Sequence, residues 1–269
     1  MRERIQYIGV ASSAIKSEIS SEFDLWLDSL NLFENKRGRG MIDLAIRIQV
    51  EPIPSSLEEG EKAILVSNYP SVTGTTNAVL KVGCRLPGER ARLKAIARGE
   101  IVTQAGRILS AIGIRELVFP ARKDETGAYK LESKKVFGEI LGYLQKPGHV
   151  LWLSITGETR NDGLGDGDIK NGAVVFSNRR QAPIVPMGII TKERKGKRKV
   201  VAVRFGKSIG PPKTSGLSEF EKSDFFNICS RQIACEIARL LPPGQRGDFE
   251  DAEDRLIEIE KRLETYTTA

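Results

Sequence analysis

The sequence predicts an α/β fold, a mostly parallel central sheet flanked by helices, with a helical segment before it and helices after it. Three observations lead there. Residues 63–66 (AILV) form an apolar run that passes into Ser67-Asn68-Tyr69-Pro70, the pattern of a strand buried on both faces. Residues 149–155 (HVLWLSI) form a second such run directly after a Pro147-Gly148 break. Around both, strand-like and helix-like segments alternate, as in βαβ units. With 269 residues, 40% of them hydrophobic and 29% charged, the chain can build one large α/β domain with a helical extension.

Taken in order, residues 1–37 repeat apolar side chains at helical spacing (Ile15, Ile19, Phe23, Leu27, Leu30), and a basic cluster at 35–40 follows. This reads as a helix packed on the domain or as an element lying on a membrane surface. Residues 45–50 alternate as a strand and stop at Pro52. Residues 63–67 are the second strand, 75–82 begin a helix, 92–97 form a short strand, 101–112 a helix and 114–119 a strand. Residues 132–144 carry Val136, Phe137, Ile140, Leu141 and Leu144 on one helical face, and Pro147-Gly148 ends them. Strands follow at 149–155, 182–190 and 199–205. The charge run 192–199 (KERKGKRK) reads as a solvated hairpin loop, with a phosphate or lipid-head patch as the alternative. Helices at 218–241 and 251–263 close the chain. The expected division is an N-terminal helical or membrane-surface segment (1–39), the α/β domain (40–241) and a C-terminal helical extension (242–269).

Composition excludes several chemistries. The three cysteines, Cys84, Cys229 and Cys235, are odd in number and widely spaced, which fits neither a disulfide framework nor a zinc site. The one histidine, His149, rules out a two-histidine metal centre. No apolar run approaches the length that spans a bilayer, and no signal peptide is evident. A net charge of +7 is compatible with anionic lipid or phosphorylated ligands; no aromatic-basic motif supports nucleic acid. The expected location is the cytoplasm, including peripheral contact with an anionic inner membrane face.

In open α/β sheets, ligands bind beyond the carboxyl ends of the strands, which makes residues 67–76 a candidate site. Four blocks then stand in order: SNYPSVTG at 67–74, LVFPAR at 117–122, ITGETRNDG at 155–163 and APIVPMG at 182–188. Lys170-Asn171-Gly172-Ala173 lies between the last two. Over residues 40–241 the chain resembles the glycerolipid acyltransferase superfamily, which acylates lysophosphatidic acid and its relatives. Family blocks there read N-H-x-x-x-x-D, a segment ending in Arg, F-P-E-G-T-R-S and V-P-I-V-P-V.

Asn68, Ser71, Arg122, Thr159 and Arg160 match the family's positions, so the resemblance implies substrate or phosphate binding for them, with Arg122 and Arg160 on the phosphate. Arg98 falls where the family often has a lysine. The resemblance further implies an acyl-CoA or acyl carrier protein donor and a lysophospholipid or glycerophosphate-like acceptor, without cofactor or metal. The catalytic pair departs from the pattern: Tyr69 stands for the histidine and Gly74 for the aspartate. Serving as the base, Tyr69 would need a shift of roughly three units from its usual pKa of about 10, about 4 kcal/mol of bias. His149 sits about six residues, roughly 20 Å, from the site-bearing end of its strand. Glu158 is the other replacement base; Asp162, Asp166 and Asp168 share its acidic, glycine-rich loop. Two readings stay open: a divergent acyltransferase with an altered base, or a non-catalytic relative that binds a phosphorylated lipid or acyl carrier.

Overall fold

The computed structural model describes residues 43, 46–87, 93–98, 118–123, 129–131, 134–160, 163–194 and 197–267. The helices expected at 1–37 and 101–112, the basic cluster at 35–40, the start of the strand at 114–119 and Asp162 lie outside them. So do the side chains of Arg98 and Arg122.

The described elements are β1 (Gln49–Val50), α1 (Ser55–Glu58), β2 (Ala63–Ser67), α2 (Val72–Arg85), β3 (Leu93–Arg98), β4 (Val118–Lys123), β5 (Tyr129–Leu131), α3 (Lys134–Tyr143), β6 (Val150–Ser154), α4 (Gly172–Arg180), β7 (Ile184–Arg194), β8 (Lys197–Phe205), α5 (Glu219–Leu240) and α6 (Ala252–Thr267). They build one eight-stranded sheet in the order β1-β8-β7-β2-β6-β3-β4-β5. β7, β2, β6, β3 and β4 run parallel, while β5 pairs antiparallel with β4 and β8 antiparallel with β7. The predicted class, a mostly parallel sheet between helices, is the fold observed.

The apolar runs explain the layers. Alternate residues of a strand face opposite sides of the sheet. Ile64 and Val66 join Leu151 and Leu153 in the core under α3, α4, α5 and α6. Ala63 and Leu65 join Val150 and Trp152 in the core under α1 and α2. Every residue of β2 is buried, as a central strand covered on both faces requires. The last helix belongs to the first core, because Phe249, Ala252, Leu256 and Ile259 lie within it.

Several expected bounds shift. The strand read at 45–50 pairs only at Gln49–Val50, parallel to β8. The helix expected from 75 starts at Val72, because Ser71 caps it and accepts the Gly74 N–H at 3.2 Å. The strands read at 182–190 and 199–205 are a longer hairpin: β7 reaches Arg194 and β8 starts at Lys197. The unpredicted α4 connects β6 to β7 and packs on β2 and β7, and α1 and β5 are also additions to the sequence reading.

Two features fix the loop after β6. The turn begins where the Ser154 hydroxyl accepts the N–H groups of Thr156 and Gly157, each at 3.3 Å. Gly157 takes φ +72°, where a side chain is strained. Further on, the loop crosses the α5–α6 linker backbone to backbone: a Cβ on Gly163 would stand 2.3 Å from Gly247 N, and one on Gly247 would stand 2.4 Å from Leu164 O. Asp248 N donates to Leu164 O at 2.9 Å, and Asp166 N donates to the Asp248 carboxylate at 3.0 Å.

Candidate functional site

The site is built where the sheet divides. β2 and β6 stay paired to their ends, Ser67 opposite Ser154. β3 pairs β6 only as far as Ala95 opposite Trp152, then continues beside β4 to Arg98. Between the separating carboxyl ends the described residues leave a cavity of about 270 Å³, whose lining includes Tyr69, Ile96, Leu153, Phe137, Phe176 and Lys170. The walls are almost wholly apolar, and the polar groups gather at one end: Tyr69, Ser154 and Lys170.

The residues of the first block take distinct places. Asn68 is buried, with Nδ2 donating to Ile189 O at 2.9 Å and Oδ1 accepting Ile189 N–H at 2.7 Å. It joins the end of β2 to β7 as a strand backbone would. Ser67 Oγ accepts the Trp152 indole N–H at 3.0 Å and donates to Asn68 O at 2.8 Å. Tyr69 is half-buried, lines the cavity and stands edge-on to Trp152, ring centroids 6.3 Å apart. Ser71 is the α2 cap. Gly74 faces β8 so closely that a Cβ would lie 2.6 Å from both Ser71 Oγ and Val200 Cγ2. At the position that the resemblance assigns to an orienting aspartate, a side chain would therefore require Ser71 Oγ and Val200 Cγ2 to shift.

The third block closes over the same end of the sheet. Arg160 N–H donates to Tyr69 O at 3.1 Å, and Ile155 N–H to Ser67 O at 2.9 Å. Glu158 and Thr159 are exposed, and the Glu158 carbonyl accepts the Thr156 hydroxyl at 2.9 Å. The Arg160 guanidinium pairs with Asp168 at 2.8 Å, a third of its side chain exposed. Gly165 makes room for that pair, since a Cβ there would meet Arg160 Nη1 and Asp168 Oδ2. Asp166 in turn is held by Arg231 of α5 at 3.3 Å. The Arg122 backbone lies at the carboxyl end of β4, the same end of the sheet, beside the cavity-lining Ala121.

His149 lies just before β6, at the opposite end from the cavity mouth, its ring 4.3 Å from that of Tyr143. Lys170 lines the cavity, and the sequence reading attached no role to it. It appears in the quoted Lys-x-Gly-Ala element, and the structure puts it at the mouth, its backbone N–H on Ile155 O at 2.9 Å. Among the described residues no group of three or more His, Cys, Asp or Glu could hold a metal ion, and no helix is long and apolar enough to cross a membrane.

No protein-family model matches the sequence, and no curated protein matches it. Among solved structures, the chain is similar to the 1-acyl-sn-glycerophosphate (LPA) acyltransferase PlsC from Thermotoga maritima, with 13% sequence identity, a TM-score of 0.43, and 82% of this chain and 81% of that chain covered. A likeness this slight says nothing about chemistry.

Proposed function

We propose that this protein binds a single-chain acyl lipid or acyl thioester, with the chain in the cavity between β3 and β6 and an anionic head at its mouth. The observation behind this reading is the cavity itself: apolar along its length, with polar groups and the Lys170 cation at one end. That division suits an amphiphile, because apolar walls gain by covering hydrocarbon and a cation attracts a phosphate or carboxylate. Arg160 and Arg122, at the same end of the sheet, are the further residues we assign to the head group. Arg160 would exchange its bond with Asp168 for one to the ligand.

In this reading the protein is a relative of the glycerolipid acyltransferases that holds their substrates, and the conventional pair is missing for a chemical reason at the base position and a steric one at the aspartate position. Tyr69 is a phenol, and Val200 and Ser71 fill the space where an aspartate would stand. Acyl transfer with a replaced base is the second reading. One observation favours it: the Arg160 N–H bond to Tyr69 O ties Tyr69 to the loop that carries Glu158.

Binding of a fluorescent lysophosphatidic acid, below its micelle concentration, tests the first reading. Gly172 borders the cavity, and a Cβ on it makes ordinary contact with Leu153 at 3.6 Å. Gly172→Ile should therefore fill the space and weaken binding at least tenfold without lowering the melting temperature. Undiminished binding would refute the assignment. Release of free thiol from acyl-CoA on adding lysophosphatidic acid, lost in Tyr69→Phe or Glu158→Gln, would establish the second reading.

A further inference from the structure

We infer that the β7–β8 hairpin is a docking surface for an anionic lipid bilayer, which it holds against the mouth of the cavity. The β7–β8 register sets Lys192 opposite Lys199 and Arg194 opposite Lys197, with Glu193 opposite Arg198 between them. Like charges directly across a sheet repel, so the Lys192–Lys199 pair disfavours the isolated hairpin. An external anion removes that cost. Lys192 and Lys199 are both exposed. By the alternation of a strand, positions 192, 194, 197 and 199 share one face.

The placement of the hairpin names the partner. β7 runs parallel to β2 only as far as Met187 opposite Ser67. Its remaining seven residues therefore carry the basic pairs up to about 23 Å beyond the end of β2, at the end of the sheet where the cavity opens. β7 and β6 are separated by β2 alone, about 10 Å apart across the sheet. A planar anionic surface that met the hairpin would thus face the apolar cavity, as a bilayer supplying a lipid must.

The hairpin is mounted firmly at its base. Gln245 completes Thr191 as a strand would, accepting its N–H at 3.0 Å and donating to its carbonyl at 2.8 Å, where the register shifts. On the other strand Val200 packs close against Gly74 of the first block. The charges are held beside the site on the same framework that shapes it.

The choice of a bilayer over another polyanion rests on the lipid-binding reading of the cavity, and the test separates the two. The full chain is sedimented with vesicles of phosphatidylcholine alone or with 30 mol% phosphatidic acid, beside the variant Lys192→Gln/Lys199→Gln. A control, Lys207→Gln/Lys213→Gln, removes the same charge from exposed positions beyond the end of β8, where the chain runs away from the hairpin towards the start of β7. With each lysine near an anionic surface worth about fivefold in affinity, the hairpin variant should bind anionic vesicles about 30-fold more weakly, and the control should change less than twofold. Raising salt should release the wild-type chain.

Equal loss in both variants, or no loss in the hairpin variant, would overturn the inference and leave a solvated hairpin whose lysines guard an open edge. Tight binding of a single-stranded oligonucleotide without vesicle binding would overturn it too. Vesicle binding that depends on Lys192 and Lys199, in a protein that takes up no lysophosphatidic acid monomer, would uphold the hairpin and sink only the cavity assignment.

Discussion

Gly74→Ala tests whether the position opposite Val200 is closed. The new Cβ would stand 2.6 Å from Ser71 Oγ and 2.6 Å from Val200 Cγ2. Helix propensity alone favours alanine over glycine by about 1 kcal/mol. Forcing a methyl group against a packed neighbour costs about 1–3 kcal/mol, and displacing the Ser71 cap about 1 kcal/mol more. The balance is a destabilisation of about 2 kcal/mol, or about 4–8 °C in Tm for a chain of this size. Equilibrium urea unfolding followed by circular dichroism measures it. In a double-mutant cycle, Val200→Ala should recover about 1 kcal/mol or more of the loss, since it removes one of the two obstacles. A Gly74→Ala protein as stable as the wild type, or more so, would refute the reasoning: the slot would be open, and the missing aspartate would be a matter of chemistry alone.

Other expectations follow from the same geometry. Asn68→Ala leaves the buried Ile189 N–H and carbonyl unpaired, so it should cost about 2–4 kcal/mol in urea unfolding; a loss below about 0.5 kcal/mol would contradict the bonding described. Burial pushes the Cys229 and Cys235 thiols up to about 12, which leaves a thiolate fraction of about 10⁻⁴ at pH 8. Peptide mass spectrometry after brief iodoacetamide treatment should find both unmodified in the native protein and both modified in urea. For Asp43, burial pushes the carboxyl up, but the Arg85 and Lys81 hydrogen bonds outweigh it and hold the group below its ordinary value of 3.8. A lowered pKa adds stability above the unfolded value and loses it as pH falls. Asp43→Asn should therefore melt below wild type at pH 6, and the two should converge as pH falls through and below 3.8.

The fold was legible where one signal dominated. The runs at β2 and β6 name their own strands within a residue, because burial on both faces demands continuous apolar side chains. α5 shows its start in the Ser218–Glu221 capping box. α4 shows neither end: Asn171 makes no side-chain cap bond, and the helix stops at Gln181 with φ +49° where a glycine would have announced it. The meeting of SNYPSVTG with the loop after β6 was legible in the order of the blocks. The bonding within it was not. Asn68 and Arg160 could each face a ligand by residue type, and only their partners, Ile189 at a separation of 121 residues and Asp168 beside Gly165, show what holds them. The closure of position 74 depends on Val200, which no spacing rule connects to α2.

The crossing of Gly163 and Gly247 has a consequence for the order of assembly. Two backbones that touch at these glycines join segments 84 positions apart in the chain, so the turn carrying Asp166 and Asp168 receives its fixture only once α5 has been laid down and the linker has returned. Closing so long a loop is slow and depends on everything between. The turn should therefore set late in folding, and it should open together with the linker. In hydrogen exchange the amides of Asp166 and Asp248 should open as one unit, and any chain that ends before Gly247 should lose the protection of Asp166 while β2 and β6 keep theirs.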